Sequence, residues 1–160
     1  MAYSYSNIYK VPITGVRFFT VYGPYGRPDM SLFKFSTNII SGKRINLFNN
    51  GKHVRDFTYI DDVVNSITKL IPNIPNSDIP YEIYNIGNGN PKKLSEFLNL
   101  IEKYLSKKSL VKNLPLQDGD VIKTHADISK LKNKIKYSPE TNIEVGIKKF
   151  IDWIKLREKL

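Results

Sequence analysis

Apolar and polar residues follow one another along this chain at spacings that predict helices and strands in turn. Residues 1–9 carry aromatic and apolar side chains at helical spacing, and Val11-Pro12 ends the segment. Residues 13–20 are then almost all apolar and rich in β-branched and aromatic types. This run predicts a strand that is buried on both faces, as the strands of a parallel sheet are.

Turn residues divide the next part of the chain. Ser31 is of a residue type that caps helices, Gly42 is of the type that ends them, and Asn49-Asn50-Gly51 is typical of a hairpin turn. These signals predict, in order, a loop at 21–30, a helix at 31–41, a strand at 45–48 and its hairpin partner at 54–60.

The remainder of the chain continues the same alternation. The spacing predicts helices at 61–71, 95–105, 128–135 and 143–156, strands at 81–86 and 110–116, a Pro-containing loop at 72–80, and turns at 87–91 and 117–120. The sequence contains no Gly-rich strand–helix motif of the dinucleotide-binding or P-loop type. The pattern as a whole predicts a mixed α/β protein in which small sheets are covered by helices.

Composition narrows the class of protein. The 160 residues are 41% hydrophobic and 12% aromatic, which is a globular and not a disordered composition. The absence of cysteine excludes disulfides and thiolate chemistry, and no apolar run approaches the roughly 20 residues that span a membrane. Because no secretory signal pattern opens the sequence, we expect a cytoplasmic protein without a membrane partner.

The net charge of +10 has three interpretations. A basic surface can bind nucleic acid, but the lysines are scattered in ones and twos between apolar helix positions, which favours ordinary solvated lysines. Binding of a ligand with several negative charges is compatible with either interpretation. The aromatic residues fall at core spacing rather than on a basic face, so we expect no nucleic-acid partner.

The stretch 17–62 carries the candidate chemistry. An apolar strand ends here in a Gly- and Pro-rich loop that leads into a helix N-terminus, which is where α/β proteins hold anionic ligands. Arg27 and Arg55 lie here beside Gly, Pro and Asp residues rather than in a lysine-rich surface run. His53 and His125 are the only histidines and have no ligand spacing, so we predict no metal site.

Four strings of residues carry a family resemblance. They are GVRFFTVYGPYGRPDMSLFKF, HVRDFTYIDDVV, YNIGN and PLQDGDVIKTHAD. In type, order and spacing they resemble the C-terminal part of the extended short-chain dehydrogenase/reductase family, and most closely its NAD-dependent UDP-glucuronate 4-epimerases. The resemblance implies an α/β fragment, with residues 1–20 as the tail of the NAD-binding Rossmann domain and residues 21–160 mainly as the smaller substrate domain, some elements of which return to the Rossmann part.

The resemblance also implies a reaction and the part of it that this chain performs. The family's epimerases interconvert UDP-glucuronate and UDP-galacturonate at C4 through a 4-keto intermediate, using NAD and a YxxxK pair. This sequence has no Gly-rich NAD loop, and no YxxxK occurs in residues 1–10. The resemblance places the tyrosine and lysine of that pair before Met1, so we predict no catalytic residue in this chain. We therefore expect the half of the enzyme that binds the UDP-sugar, inactive alone and unable to bind NAD by itself.

Partners and alternatives follow from the same resemblance. A separately encoded N-terminal half would supply the missing chemistry, and apolar surface on residues 1–20 would otherwise lead to self-association. The alternative functions are a UDP-sugar-binding remnant without catalysis and another sugar-nucleotide epimerase or dehydratase.

The resemblance assigns two residues to each end of the UDP-sugar. Thr20 and Arg27 correspond to the residues that hold the glucuronate carboxylate, and an arginine fork suits a carboxylate in bidentate geometry. Asn46 and Phe48 correspond to the uridine site, where the aromatic ring stacks on the base.

The diphosphate is assigned to a helix start and to an arginine. Backbone N–H groups at Ser31 and Leu32, at the beginning of a predicted helix, suit an anion whatever the side chains are. Arg55 corresponds to the family's diphosphate-binding arginine. From the residues alone, a structural pairing of Arg55 with Asp56 or Asp61 remains an alternative.

The last assignments concern the ribose and the cofactor. Gln117 and Asp120 correspond to the turn that touches the ribose and the phosphates, although many relatives have Arg at the position of Gln117. Phe18 and Phe19 correspond to the segment that approaches the nicotinamide ring, and they are the only residues assigned to the NAD side.

Overall fold

Short, mostly parallel strand pairs covered by helices form the fold in this computed structural model, which describes residues 1–159. The helices are α1 (Ala2–Tyr9), α2 (Ser31–Ile40), α3 (Ile60–Leu70), α4 (Leu94–Leu105), α5 (Ser129–Ile135) and α6 (Ile143–Glu158). The strands are β1 (Ile13–Phe18), β2 (Thr20–Tyr22), β3 (Arg44–Phe48), β4 (Val54–Arg55), β5 (Phe57–Tyr59), β6 (Tyr81–Ile86), β7 (Lys92–Lys93) and β8 (Leu110–Leu114). The predicted α/β class is confirmed.

The predicted strand at 13–20 is present but changes its partner near its end. β1 pairs in parallel with β6, from Ile13 opposite Tyr81 to Phe18 opposite Ile86. After Phe19, β2 pairs in parallel with β5 instead. The prediction that this strand is buried on both faces is wrong: no residue of β1 is fully buried, because β6 is its only strand neighbour within residues 1–159.

The predicted hairpin across residues 49–51 is also wrong. β3 pairs in parallel with β8, with Arg44 opposite Leu110, whereas β4 pairs antiparallel with β7. A 3-10 turn at Asn49–Gly51 connects β3 to β4, with Asn49, Asn50 and Gly51 all at positive φ. The turn residues were recognised correctly, but turn chemistry alone does not specify which distant strand pairs with β3.

Helix boundaries lie within a few residues of the predicted ones. Met30 in extended conformation is the N-cap of α2 and makes no side-chain cap bond, so the expectation that Ser31 caps this helix is wrong; Ser31 is the first helical residue. α3 begins at Ile60, and Asp61 and Asp62 lie in its first turn, where acidic residues are favourable. None of the helices in residues 1–159 has both the length and the apolar content needed to cross a bilayer.

Two clusters of buried apolar residues hold these elements together. The larger cluster lies among α2, α4, α6 and strands β2, β3 and β5, and within it Phe57 stacks on Phe97 with ring centroids 4.1 Å apart. The smaller cluster joins β6 to α3 and α5, through Tyr84, Val63 and Leu131 among others. The cluster division does not test the predicted domain boundary after residue 20, which stays a prediction.

A buried carboxylate connects three segments that are distant in sequence. Asp56 is fully buried, and its side-chain oxygens accept hydrogen bonds from the backbone N–H groups of Asn88 (2.8 Å), Gly89 (3.1 Å) and Ala126 (2.9 Å). Gly87 makes this approach sterically feasible, because a Cβ there would lie 2.2 Å from the Cβ of Ala126. The hydrogen bonds of the Asp56 carboxylate therefore fix β5, the loop after β6 and the segment that leads to α5 against one another.

A second buried acid performs a similar task at the start of α3. Asp62 accepts a hydrogen bond from the hydroxyl of Tyr137 and another from the backbone N–H of Thr141, each at 2.9 Å. Burial, followed by this hydrogen bond, raises the pKa of the Tyr137 hydroxyl to about 12. The connection between α5 and α6 is thereby attached to α3.

Replacing Asp56 should test how much the fold depends on its carboxylate. In Asp56→Ala, three backbone N–H groups lose a buried acceptor, so we expect the free energy of unfolding to fall by about 3–5 kcal/mol. Urea denaturation followed by circular dichroism measures it. Asp118→Ala, at an exposed turn position, is the matched control and should change stability by less than about 0.5 kcal/mol. A loss in Asp56→Ala as small as in the control would contradict this role.

Candidate functional site

A cleft of about 330 Å³ lies where β2, the N-terminus of α2, β3 and β4 meet. Two of these strands are held by parallel partners, β2 by β5 and β3 by β8. Six of the residues predicted for the site line this cleft: Thr20, Ser31, Asn46, Phe48, Arg55 and Asp120. They come from five segments that are spread over 100 positions of sequence between Thr20 and Asp120.

The guanidinium of Arg55 is held at the wall of the cleft by three groups. One terminal nitrogen donates to the backbone oxygens of Val54 (3.2 Å) and Ile122 (3.3 Å), and the other donates to Oδ1 of Asp120 at 3.1 Å. Its side chain is 20% exposed. The alternative pairing with Asp56 or Asp61 is wrong, because the carboxylate of Asp56 is occupied by backbone N–H groups and Arg55 pairs with Asp120.

His53 is a cleft residue for which sequence reasoning predicted no role. Its side chain is 4% exposed, lines the cleft, and places Nε2 3.1 Å from Oδ2 of Asp120. The sequence did contain a signal: His53 lies two positions before Arg55 as the chain enters β4, and residues two apart on extended backbone face the same side.

The N-terminus of α2 presents free backbone donors to the cleft. The first N–H groups of any helix lack intrahelical acceptors, and α2 has neither a side-chain cap nor an acidic residue in its first turn. Ser31 is half-buried at the cleft, whereas the side chain of Leu32 is buried in the larger apolar cluster. Leu32 does not line the cleft, so any contribution of this residue is confined to its backbone N–H. Lys34, one turn along, adds a cation to the lining.

Strand alternation explains how β3 contributes to the cleft. Ile45 and Leu47 point into the apolar cluster, while Asn46 and Phe48 lie on the opposite face and line the cleft. Phe48 is half-buried rather than part of the closed core. An aromatic ring with one accessible face beside an amide is suited to stacking on and hydrogen bonding to a planar heterocycle.

Arg27 does not reach the cleft in this conformation. Its guanidinium forms a bidentate pair with Asp29, with Nε 3.0 Å from Oδ1 and a terminal nitrogen 2.5 Å from Oδ2. The pair is exposed to solvent, and the hydrogen bond from Arg27 lowers the pKa of the Asp29 carboxyl. Arg27 lines a neighbouring cavity of about 410 Å³, which shares Met30 with the cleft.

Phe18 and Phe19 line that neighbouring cavity and not the cleft. Phe18 is half exposed. These rings offer an apolar wall, and no Gly-rich loop at a helix N-terminus accompanies them in the sequence. Gln117 is exposed in the turn before Asp120 and lines neither cavity.

Met1 takes no part in the cleft or in the neighbouring cavity. It is the N-cap of α1, its side chain is 98% exposed, and it lines neither space. The helix that follows it carries Tyr3, Tyr5 and Tyr9, all exposed, and none of them has a lysine four positions later. The placement of the catalytic tyrosine and lysine before Met1 is not tested by residues 1–159 and stays a prediction.

A larger cavity of about 510 Å³ lies on the other side of Phe57. Glu96, Glu140 and Glu144 line it together with a single cation, Lys92. This excess of negative charge disfavours an anionic ligand. Over residues 1–159, no group of three or more acidic residues or histidines is placed to hold a metal ion.

Comparison with known proteins gives a consistent result. Residues 1–87 match the family described as "NAD dependent epimerase/dehydratase family". An uncharacterized protein of Methanocaldococcus jannaschii is 52% identical over 153 residues, which are 96% of this chain and 46% of that protein. The probable UDP-glucuronate 4-epimerase of Rhizobium meliloti is 40% identical over 169 residues, 96% of this chain and 49% of that protein.

The fold agrees with solved structures of the same kind. UDP-glucuronic acid 4-epimerase from Bacillus cereus, in complex with UDP-glucuronic acid and NAD, superposes with a TM-score of 0.89 at 31% identity, covering 98% of this chain and 49% of that one. The matching region is the C-terminal half of such proteins. The chain thus spans about half the length of the curated relatives it matches.

Proposed function

This chain belongs to the NAD-dependent epimerase/dehydratase family, and from that premise we propose that it is the substrate-binding half of a UDP-glucuronate 4-epimerase. In this proposal the cleft binds a UDP-sugar during interconversion of UDP-glucuronate and UDP-galacturonate at C4 through a 4-keto intermediate. Relatives that are named as UDP-glucuronate 4-epimerases support the choice of sugar.

One observation carries the proposal. Six of the residues assigned from sequence to the base, the phosphates, the ribose and the sugar acid come together in one cleft, although they belong to five separate segments. This convergence supports the assignment of the cleft to a nucleotide ligand. The cleft also combines the features that nucleotide sites use, namely a helix N-terminus, an arginine and an aromatic ring.

The diphosphate would lie between α2 and β4. The free N–H groups at Ser31 and Leu32 and the side chains of Lys34 and Arg55 supply positive charge from two sides. Asp120 is the only acid that neutralises Arg55 through hydrogen bonds within residues 1–159. A diphosphate would therefore compete with Asp120 for Arg55, and the carboxylate of Asp120 would accept from ribose hydroxyls.

The uridine and the sugar acid would lie at opposite ends of the diphosphate. Phe48 and Asn46 supply the stacking ring and the amide for the base. Thr20 lies in the cleft, and Arg27 reaches the sugar only after it exchanges Asp29 for the glucuronate carboxylate. Both members of the Arg27–Asp29 pair are solvent-exposed, so the exchange replaces one screened carboxylate by another at little cost.

Hydride transfer lies outside what these residues can do. A 4-keto intermediate needs a redox cofactor, for which NAD is the family's choice, and the chain's own residues supply only the apolar wall of Phe18 and Phe19 towards it. We propose that the chain alone binds a UDP-sugar without turning it over. A UDP-sugar-binding protein without catalysis would share this binding behaviour and would remain inactive when the complementary half is added.

The binding of UDP to Arg55 is testable by isothermal titration calorimetry on the 160-residue chain. Loss of charged hydrogen bonds in Arg55→Gln should weaken UDP binding by about thirtyfold, equivalent to about 2 kcal/mol. Arg44→Gln removes the same charge from an exposed position at the start of β3 and is the matched control; its affinity should stay within about twofold. Equal losses in both variants would mean that UDP responds to the overall charge of the protein and not to a contact with Arg55.

Selectivity for the sugar acid tests Arg27. In Arg27→Ala we expect the affinity for UDP-glucuronate to fall about tenfold, because a bidentate charged contact is lost. UDP-glucose carries no carboxylate and serves as the ligand-side control, so its affinity should not change. If the two ligands lose affinity equally, Arg27 does not contact the carboxylate.

Self-association remains an expectation for this chain, with a second copy as the partner. Tyr5, Ile8 and Tyr9 on α1 and Phe18 on β1 are each at least half exposed. Light scattering over a concentration series should give a mass above the 18.5 kDa of one chain. Ile8→Lys should lower that mass, whereas Leu156→Lys, at an exposed site on α6, should not. A monomer at every concentration would contradict the expectation.

A further inference from the structure

His53 is a buried polar side chain in the cleft without a hydrogen-bond partner. The residue is 3% exposed, and its Nε2 makes no hydrogen bond to any group in residues 1–159. Buried polar nitrogens are almost always satisfied, and leaving one unpaired is costly. The position of this nitrogen therefore calls for an acceptor, and no group in residues 1–159 is aligned to accept from it.

The nearest acceptor is already close. Oδ2 of Asp120 lies 3.1 Å from Nε2 of His53, which is hydrogen-bond distance but not hydrogen-bond orientation. The other oxygen of Asp120, Oδ1, accepts from Arg55 at 3.1 Å. Asp120 thus lies between two potential donors, and at present its geometry favours Arg55.

The backbone around His53 is firmly held, so adjustment falls to Asp120. The carbonyl of His53 accepts from the N–H of Leu94 at 2.8 Å, and the N–H of Val54 donates to Ile122 at 2.9 Å. The side chain of Asp120 is 33% exposed and lies in a turn. A rotation of its carboxylate would change the position of Oδ2 relative to Nε2.

An anionic ligand changes the balance between the two donors. Arg55 can turn its outer nitrogen from Asp120 to a phosphate, and the phosphate at the same time repels the carboxylate of Asp120. Within residues 1–159, His53 is then the donor left to hold the carboxylate of Asp120 at the cleft, where it can accept from a ribose hydroxyl. His53 and Arg55 face different oxygens of the Asp120 carboxylate: His53 faces Oδ2, whereas Arg55 donates to Oδ1.

We propose that His53 is a positioning residue of this cleft: its Nε2–H donates to Oδ2 of Asp120 and retains that carboxylate when Arg55 engages an anionic ligand. The identity of the ligand as a nucleoside diphosphate rests on the proposed function. The role of His53 requires that Nε2 carries the proton and that Nδ1 does not compete for the same acceptor.

The first test compares two ligands and two replacements. For UDP, His53→Leu should weaken binding about tenfold, whereas His53→Gln, which keeps a donor, should recover most of the affinity. For uridine, which has no phosphate to draw Arg55 away, His53→Leu should change affinity by less than about threefold. His125→Leu, the other histidine and exposed, is the matched control and should leave both affinities unchanged.

Two outcomes of this comparison would overturn the proposal. An equal loss for UDP and uridine would mean that His53 only supports the local fold. Failure of His53→Gln to recover affinity, in a variant whose circular dichroism matches that of the wild type, would mean that donation to Asp120 is not its role. In Asp120→Ala, moreover, the further change His53→Leu should have no effect on UDP binding.

A measurement without ligand tests the role of His53 independently of the proposed function. With His125→Gln, His53 is the only imidazole in the chain, so long-range ¹H–¹⁵N correlation spectra report its tautomer directly. We expect a proton on Nε2 and a shift of the Nε2 resonance in Asp120→Ala. A lone proton on Nδ1 would overturn the role of His53, while absence of UDP binding by the wild type would overturn the proposed function and leave this spectrum to decide on His53.

Discussion

The buried carboxylate of Asp56 is the interaction on which the arrangement of this molecule most depends. It satisfies backbone N–H groups of Asn88, Gly89 and Ala126, which belong to two loops that are distant in sequence. A carboxylate is buried at acceptable cost when several donors surround it, and here all of the donors are main chain. Because Asp56 faces inward, its neighbour Arg55 faces the other side of the strand and enters the cleft.

The cleft itself is balanced rather than simply basic. Arg55 is paired with Asp120, and Asp29, which lines the cleft with Lys34, is paired with Arg27. An incoming diphosphate would have to compete with Asp120 for Arg55, and a sugar carboxylate would have to compete with Asp29 for Arg27. Such competition reduces affinity, but it also favours ligands that offer both anionic groups at once. The proposed role of His53 follows from this balance, because a displaced Asp120 needs another donor.

Sequence reasoning predicted the features that depend on neighbouring residues and missed those that depend on contacts between distant segments. Helix positions followed from apolar spacing, and the family resemblance led to six residues that share one cleft. The partner of β3 could not be read locally, because Arg44 and Leu110 meet only after the intervening helices pack. The roles of Asp56 and His53 were missed for a similar reason: their partners, Ala126 and Asp120, lie more than sixty positions away and are recognisable only once both segments are in place.

Ligand-induced amide shifts test the central claim, that this cleft binds the nucleotide of a UDP-sugar, most directly. In ¹H–¹⁵N spectra of the chain titrated with UDP-glucuronate, the account predicts saturable shifts at Thr20, Asn46, Phe48 and Arg55, and none at Asn99 or Asn142 beside the larger acidic cavity. Shifts confined to the larger cavity, or no saturable shift at millimolar ligand, would contradict it.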